Sequence, residues 1–304
     1  MSKTEIIFLA GPTASGKSSA AVKLARKLNA EIISCDSMQV YKGMDIITSK
    51  TKFKEHLTSI VSPEEEYDVA RFRRDALKKM KDILRKGKAP LFVGGTGLYI
   101  TILLDGIFKA RAEDRAVRER LYSQAEAQGG TYLYQKLNKV DPQAALKIHP
   151  NDTRRIVRAL EVFEATGKPI SQLQKERKGL YGSHRVRIFC LDMPRDKLYQ
   201  RIDRRVEKMF REGLIPEVKR LLKMRLSRTA QYAIGLKEIA GYLEGTYDLG
   251  AAKELMQRNT RNYAKRQLTW FRKDKRIEWI RLSVKDTPAA TADKIYKQLQ
   301  LTGA

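Results

Sequence analysis

The sequence predicts an α/β fold, a parallel sheet flanked by helices with an all-helical insertion. Three observations carry this expectation. Apolar, β-branched runs alternate with amphipathic helical stretches, a glycine-rich turn joins the first run to the first helix, and one long internal segment shows helical periodicity alone. The expected core is 1–110 together with 184–304, and the expected insertion is 111–183.

The first run is Ile6, Ile7, Phe8 and Leu9, and the helix after the turn shows Ala21, Leu24, Ala25 and Leu28 on one face. Between them Gly11, Gly16, Lys17 and Ser18 stand at the spacing G-x-x-x-x-G-K-[ST], in the strand-to-helix context that a P-loop requires. Glycines let the backbone curl toward an anion at the helix N-terminus, Lys17 adds a positive charge, and Ser18 offers a hydroxyl to Mg²⁺. The expected architecture is therefore a P-loop NTPase-like sheet. The loop alone does not say whether its anion is a nucleoside triphosphate or a diphosphate.

Three further runs, "EIISC" at 31–35, "PLFVGG" at 90–95 and "VRIFCLDM" at 186–193, have the character of buried parallel strands. Residues 68–86 place Val69, Phe72, Ala76, Leu77, Met80, Ile83 and Leu84 on one helical face and stop at Gly87, before Pro90. From Leu104 to Arg185 the pattern is helical, punctuated by Gly129, Gly130, Pro150, Gly167 and Pro169. More helices follow, with a fifth strand expected at "RIEWIRLS", 276–283, and a terminal helix.

Composition limits the partners. Of 304 residues 42% are hydrophobic and 32% charged, and no run approaches the ~18 apolar residues of a membrane span. Without a signal-peptide pattern at its start, the chain is expected in the cytoplasm. Cys35 and Cys190 lie inside strand-like runs and read as buried free thiols, while His56, His149 and His184 lack zinc-site spacing. Lys and Arg number 61 against 35 Asp and Glu, a net charge of +26. That excess favours a nucleic-acid partner over a membrane surface, because it is not gathered into one amphipathic helix. A basic metabolic enzyme is the alternative.

Candidate chemistry gathers at the carboxyl ends of the strands, where open α/β sheets bind ligands. Asp36 ends the second run and reads as a Mg²⁺ ligand, as a general base, or as a turn cap acting through Ser37. "FVGGTGLY" at 92–99 ends in glycines where an ATPase usually carries an acidic residue, so a bulky ligand suits the position. Basic residues form three groups: Arg154, Arg155 and Arg158; Arg201, Arg204 and Arg205; and Arg261, Lys265, Arg266, Arg272 and Lys273. The last is interleaved with Tyr263, Trp270 and Phe271 as in single-strand RNA binders, although Leu268 and Phe271 also have core spacing.

The ordered set "GPTASGKS", "DSMQVYKGMDI", "FVGGTGLY", "HPNDTRRIVRALEV", "RIDRRVEKM" and "KRQLTWFR" resembles the bacterial tRNA dimethylallyltransferases from about residue 5 to about residue 280. The resemblance implies prenyl transfer from dimethylallyl diphosphate to N6 of the tRNA adenosine at position 37, beside the anticodon, with Mg²⁺; a monomer is expected, since an asymmetric tRNA substrate does not require symmetry. It assigns the diphosphate to Gly11, Pro12, Thr13, Ala14, Ser15, Gly16, Lys17 and Ser18, with Ser18 on the metal. Asp36, Thr13 and Arg205 become catalytic.

Contacts to the tRNA anticodon stem-loop are implied for Asp36, Ser37, Met38, Gln39, Thr96 and Arg118, and for Arg154, Arg155, Ile156, Val157 and Arg158. The same is implied for Tyr232, Ala233, Ile234, Gly235, Leu236 and Lys237, and for Lys265, Arg266, Gln267, Leu268, Thr269, Trp270, Phe271 and Arg272. The family commonly continues "GMDIGTAKP" where this chain reads "GMDIITSKTK", so Ile47 replaces a glycine and Ser49 an alanine. If that glycine holds positive φ, Ile47 is expected to be strained. A small-molecule P-loop kinase and a nucleotide-gated RNA-binding module are the competing readings.

Overall fold

The structure is a computed structural model that describes residues 5–108, 115–283 and 285–301. The chain divides into two units, one formed by residues up to Leu104 together with those from Tyr181 onward, the other by Asp105–Leu180. The expected boundary at 110/111 lies outside the described residues.

The first unit begins with β1 (Ile6–Ala10), α1 (Lys17–Leu28), β2 (Ala30–Ser34), α2 (Val69–Arg85), β3 (Ala89–Gly94) and α3 (Gly97–Asp105). The second unit contributes α4 (Arg115–Gln128), α5 (Gly130–Val140), α6 (Pro142–Ala145), α7 (Thr153–Thr166) and α8 (Ile170–Lys175). The first unit resumes with β4 (Val186–Asp192), α9 (Arg195–Arg211), α10 (Leu214–Leu221), α11 (Leu236–Leu243), α12 (Leu249–Phe271), β5 (Glu278–Arg281) and α13 (Pro288–Leu301).

All five strands pair in parallel in the order β2-β3-β1-β4-β5. β1 is wholly buried because it is central, which is why its residues are apolar on both faces. Leu9 pairs with Val93 on one side and Phe189 on the other, and these side chains join Leu24 of α1 and Ile295 of α13 in one core layer. On alternate positions Phe8 stacks on Phe92 with ring centroids 4.7 Å apart. α2 begins at an Asp68 cap, whose carboxylate accepts the Arg71 N–H at 2.7 Å, and its Phe72 stacks on Tyr99 of α3. The strand order reverses about β1, so its carboxyl end is a switch point, the place where open α/β sheets bind ligands.

The helical unit has its own core, with Leu121, Leu133, Leu137, Ile156 and Leu160 at its centre. Buried Asp141 caps α6 through the Ala144 N–H at 2.9 Å and holds the Ser171 N–H with its other oxygen at 2.9 Å.

Candidate active site

After Ala10 the chain turns through Gly11–Gly16 into α1. Gly16 has φ 90°, a left-handed conformation that strains any side chain, so the motif glycine is required by the backbone itself. The Ser15 N–H closes the turn on the Pro12 carbonyl at 3.3 Å, and Arg201 of α9 supports it by donating to the Ser15 carbonyl at 3.2 Å. α1 has no acidic residue in its first turn, so its free N–H groups and positive dipole end are left for an anion.

A cavity of about 410 Å³ opens beside this loop. Thr13, Lys17 and Ser18 line it from the loop, Asp36, Ser37, Met38 and Gln39 from the segment after β2, Arg205 from α9, and Tyr263, Arg266 and Gln267 from α12. Ile47, Val206, Met209, Ala233, Ile234 and Met256 add apolar surface. Charged and greasy walls in one chamber suit a ligand with an anionic and an apolar end.

Asp36 lines the cavity and caps the turn after β2. Its Oδ1 caps the turn, accepting the Met38 N–H at 2.9 Å and the Gln39 N–H at 3.4 Å, while Oδ2 has no hydrogen bond among the described residues. Burial lowers the Lys17 ammonium to about 8, against the opposing pull of the Asp36 charge. Its Nζ donates to the Pro12 carbonyl at 3.1 Å. Burial likewise lowers the Arg205 guanidinium, again opposed by Asp36. Arg205 donates to Thr13 Oγ1 from Nη1 at 2.8 Å and to Ser49 Oγ from Nε at 2.7 Å.

Behind the loop, Gln267 accepts the Thr13 N–H on Oε1 at 2.8 Å and donates from Nε2 to the Gly95 carbonyl at 2.9 Å. The Thr13 N–H is therefore engaged by Gln267. Gly94 allows β3 to press on the segment after β2, since a Cβ there would lie 2.2 Å from the Cys35 carbonyl oxygen. Thr96 is placed by this approach to accept the Ser37 N–H at 3.1 Å.

The structure divides the remaining residues of the implied RNA surface. Tyr232, Ala233 and Ile234 line the cavity, whereas Gly235 caps α11 and Leu236 is buried. On α12, Arg266 and Gln267 face this cavity, while Lys265, Leu268, Thr269 and Arg272 line another that also includes Arg195 and Arg281. Trp270 is partly exposed and donates to Thr101 Oγ1 at 3.2 Å, and Phe271 is core. In the helical unit Arg154 is exposed and Arg155 pairs with Asp152 at 3.3 Å. Arg118 and Arg158 converge on buried Glu161 at 2.9 and 2.8 Å. Ile156 and Val157 are core. The side chains of Leu236, Phe271, Ile156 and Val157 are buried, as their apolar periodicity dictates.

The expected strain at Ile47 is corrected. Ile47 is not among the residues with positive φ; it is buried, packs beside Gly235, and donates its N–H to Glu217 at 2.8 Å. The left-handed residue in this turn is Ser49, with φ 47°.

Sequence reasoning missed Glu55, Ser49 and Thr260, all of which line the cavity. Glu55 accepts the Thr51 hydroxyl at 2.9 Å, and burial raises its carboxyl, reinforced by Asp36. It lies in a lysine-rich loop that carries no motif. Tyr263 was visible within the basic-aromatic stretch; burial and the Asp36 charge push its phenol up to about 12.

A strand–loop–helix anion cradle facing a carboxylate across a partly apolar chamber defines a group-transferring α/β enzyme. The chain belongs to the IPP transferase family, whose profile matches residues 39–274, and the isopentenyl transferase profile matches residues 4–61. It is 50% identical over 284 residues to the tRNA dimethylallyltransferase of Carboxydothermus hydrogenoformans, covering 91% of each chain. It is 46% identical to that of Geobacter sulfurreducens, covering 92% of each. Among solved structures, the full-length tRNA isopentenylpyrophosphate transferase of Bacillus halodurans superposes with a TM-score of 0.70 at 38% identity, covering 99% of this chain and 98% of that one. A eukaryotic dimethylallyltransferase acting on tRNA gives 0.82 at 32% identity, over 99% of this chain and 80% of the other.

Proposed function

We propose that the protein transfers the dimethylallyl group of dimethylallyl diphosphate to N6 of adenosine 37 in the anticodon stem-loop of tRNA, releasing diphosphate. The observation that carries this reading is the single cavity in which Asp36, Lys17 and Arg205 face one another beside apolar surface. The target base leaves the loop stack to enter it. The adenine amine is a weak nucleophile, so Asp36 accepts the N6 proton as the nitrogen bonds to the allylic carbon and the carbon–oxygen bond to diphosphate breaks. Lys17, Arg205 and the α1 N-terminus stabilise the charge that gathers on the departing diphosphate, where removal of one donor typically costs ~3 to 4 kcal/mol.

The donor set fits Mg²⁺. The Ser18 hydroxyl is a hard oxygen ligand in the cavity, and among the described residues no group of three or more His, Cys, Asp or Glu side chains could hold a metal ion, so the ion would depend on phosphate oxygens for most of its ligands. Ser18 would hold the ion together with substrate phosphates. The ion would neutralise charge on the leaving diphosphate. Among the described residues no helix is long and apolar enough to cross a membrane. We read the enzyme as a cytoplasmic monomer.

Incubation with labelled dimethylallyl diphosphate and unmodified tRNA, followed by mass spectrometry of the anticodon loop, tests the reading. The expected product is a single prenylated adenosine, formed with Mg²⁺ and lost on chelation. Consumption of ATP without tRNA modification would instead indicate a kinase.

A further inference from the structure

Ser49 sits in a turn that α10 holds from outside the cavity. The Glu217 carboxylate, buried on α10, accepts the N–H groups of Asp45, Ile46 and Ile47 at 2.8 to 3.1 Å, and Arg220 donates to the Gly43 carbonyl. Inside the turn the Ser49 N–H returns to the Ile46 carbonyl and the Lys50 N–H to the Asp45 carbonyl, each at 2.9 Å. The segment is thus fixed at several points. It closes with Ser49 at φ 47°, a conformation unfavourable for a serine. From there the hydroxyl lines the cavity and accepts Arg205 Nε at 2.7 Å.

A guanidinium is a rigid plane with five N–H donors. Arg205 is anchored at two of them, Nε on Ser49 and Nη1 on Thr13, and its remaining three donors have no protein partner among the described residues. Two anchors on different atoms fix the plane as well as the position of the group, whereas Thr13 alone would leave it free to pivot. We propose that Ser49 is a positioning residue that orients Arg205, so that its three unengaged N–H groups are presented to the diphosphate before the ligand arrives. The proposal deepens the transferase reading and rests on it. Ser49 does not touch the reacting atoms; it acts through Arg205, and the α10 carboxylate acts through Ser49.

Two substitutions separate this role from a purely structural one. Ser49→Gly removes the hydroxyl and relieves the backbone, whereas Ser49→Ala removes the hydroxyl and keeps the strain. Titration calorimetry with inorganic diphosphate and Mg²⁺ should show both variants weakened roughly ten-fold, the scale of one hydrogen bond to a charged group. Prenyl transfer should lose kcat with KM for tRNA unchanged, although only the alanine variant should melt lower than wild type. In an Arg205→Lys background, which lacks the Nε anchor, Ser49→Gly should add no further loss of diphosphate affinity.

Wild-type diphosphate affinity in Ser49→Gly, or an undiminished effect in the Arg205→Lys background, would overturn the proposal and leave Ser49 as a turn residue. A wild-type protein that binds no diphosphate would overturn the transferase reading, and this one with it.

Discussion

Gln267 reaches across the sheet edge to Thr13, accepting its backbone N–H at 2.8 Å while donating to the Gly95 carbonyl at 2.9 Å. One buried carboxamide therefore joins α12 to both the loop after β1 and the glycine-rich end of β3. The chemistry requires an acceptor on one side and a donor on the other, which no carboxylate provides.

Gln267→Glu is accordingly expected to destabilise the protein by about 2 to 3 kcal/mol, because a carboxylate oxygen would face the Gly95 carbonyl. Equilibrium denaturation in urea measures this. A variant as stable as wild type would show that the clamp is not a structural requirement.

Asp36→Asn tests the proposed proton acceptor, since it keeps an oxygen for the Met38 and Gln39 N–H groups and removes the basic carboxylate. Prenyl transfer should fall ~10²- to 10⁴-fold. Filter binding should give near-normal tRNA affinity. Retained transfer would remove Asp36 from the proton path.

If Lys17 holds the diphosphate as proposed, binding should depend on pH. With its ammonium lowered to about 8 in the free protein, the charged form predominates below that pH and is lost above it. An anion binds the charged form more tightly, so affinity should be greatest below pH 8 and decline as pH rises toward 10, beyond any change due to the ligand's own ionisation. Lys17→Met should remove the protein's share of the slope. Calorimetry of wild type and variant across this range is the check.

Glu31 offers a stability test remote from the chemistry. It bonds Lys88 at 2.9 Å and His56 at 2.7 Å, and these two hydrogen bonds, Lys88 first, hold its carboxyl down to about 2. A depressed carboxyl stabilises the fold above its ordinary value of 4.5 and loses that contribution as pH falls toward 2. The melting-temperature gap between wild type and Glu31→Gln should therefore close between about pH 4.5 and 2.

The net charge of +26 predicts steep salt sensitivity for tRNA binding. Neutralising roughly six or more phosphates at a slope of ~0.7 to 0.9 each gives the expected decline of log K with log salt. A flat plot in filter-binding assays would contradict an electrostatic RNA interface.

How much of this was legible in the sequence depends on the range of the interaction. The strand expected at 186–193 is found at 186–192, and the helix expected at 68–86 at 69–85, because burial on both faces or on one stripe leaves a local imprint. The fifth strand contracts to 278–281, an edge position where pairing is one-sided. Asp36, Lys17 and Ser18 were visible because loop chemistry fixes residue type at short spacing. Gln267 lies 254 residues from Thr13, and Ser49 lies 156 from Arg205; neither bond leaves a local mark. The same limit explains the basic-aromatic stretch: helical periodicity sends Arg266 and Lys265 into different cavities, although the two are adjacent in the chain.

Cys35 and Cys190, the two cysteines of the chain, are both fully buried in strand-proximal positions, and burial pushes both thiols up, Cys190 to about 12. Maleimides and iodoacetamides react with accessible thiolates, so the folded protein presents these reagents with a blank background. A single cysteine introduced at an exposed position such as Leu146 would take a fluorophore selectively, with both native sulfurs left in place.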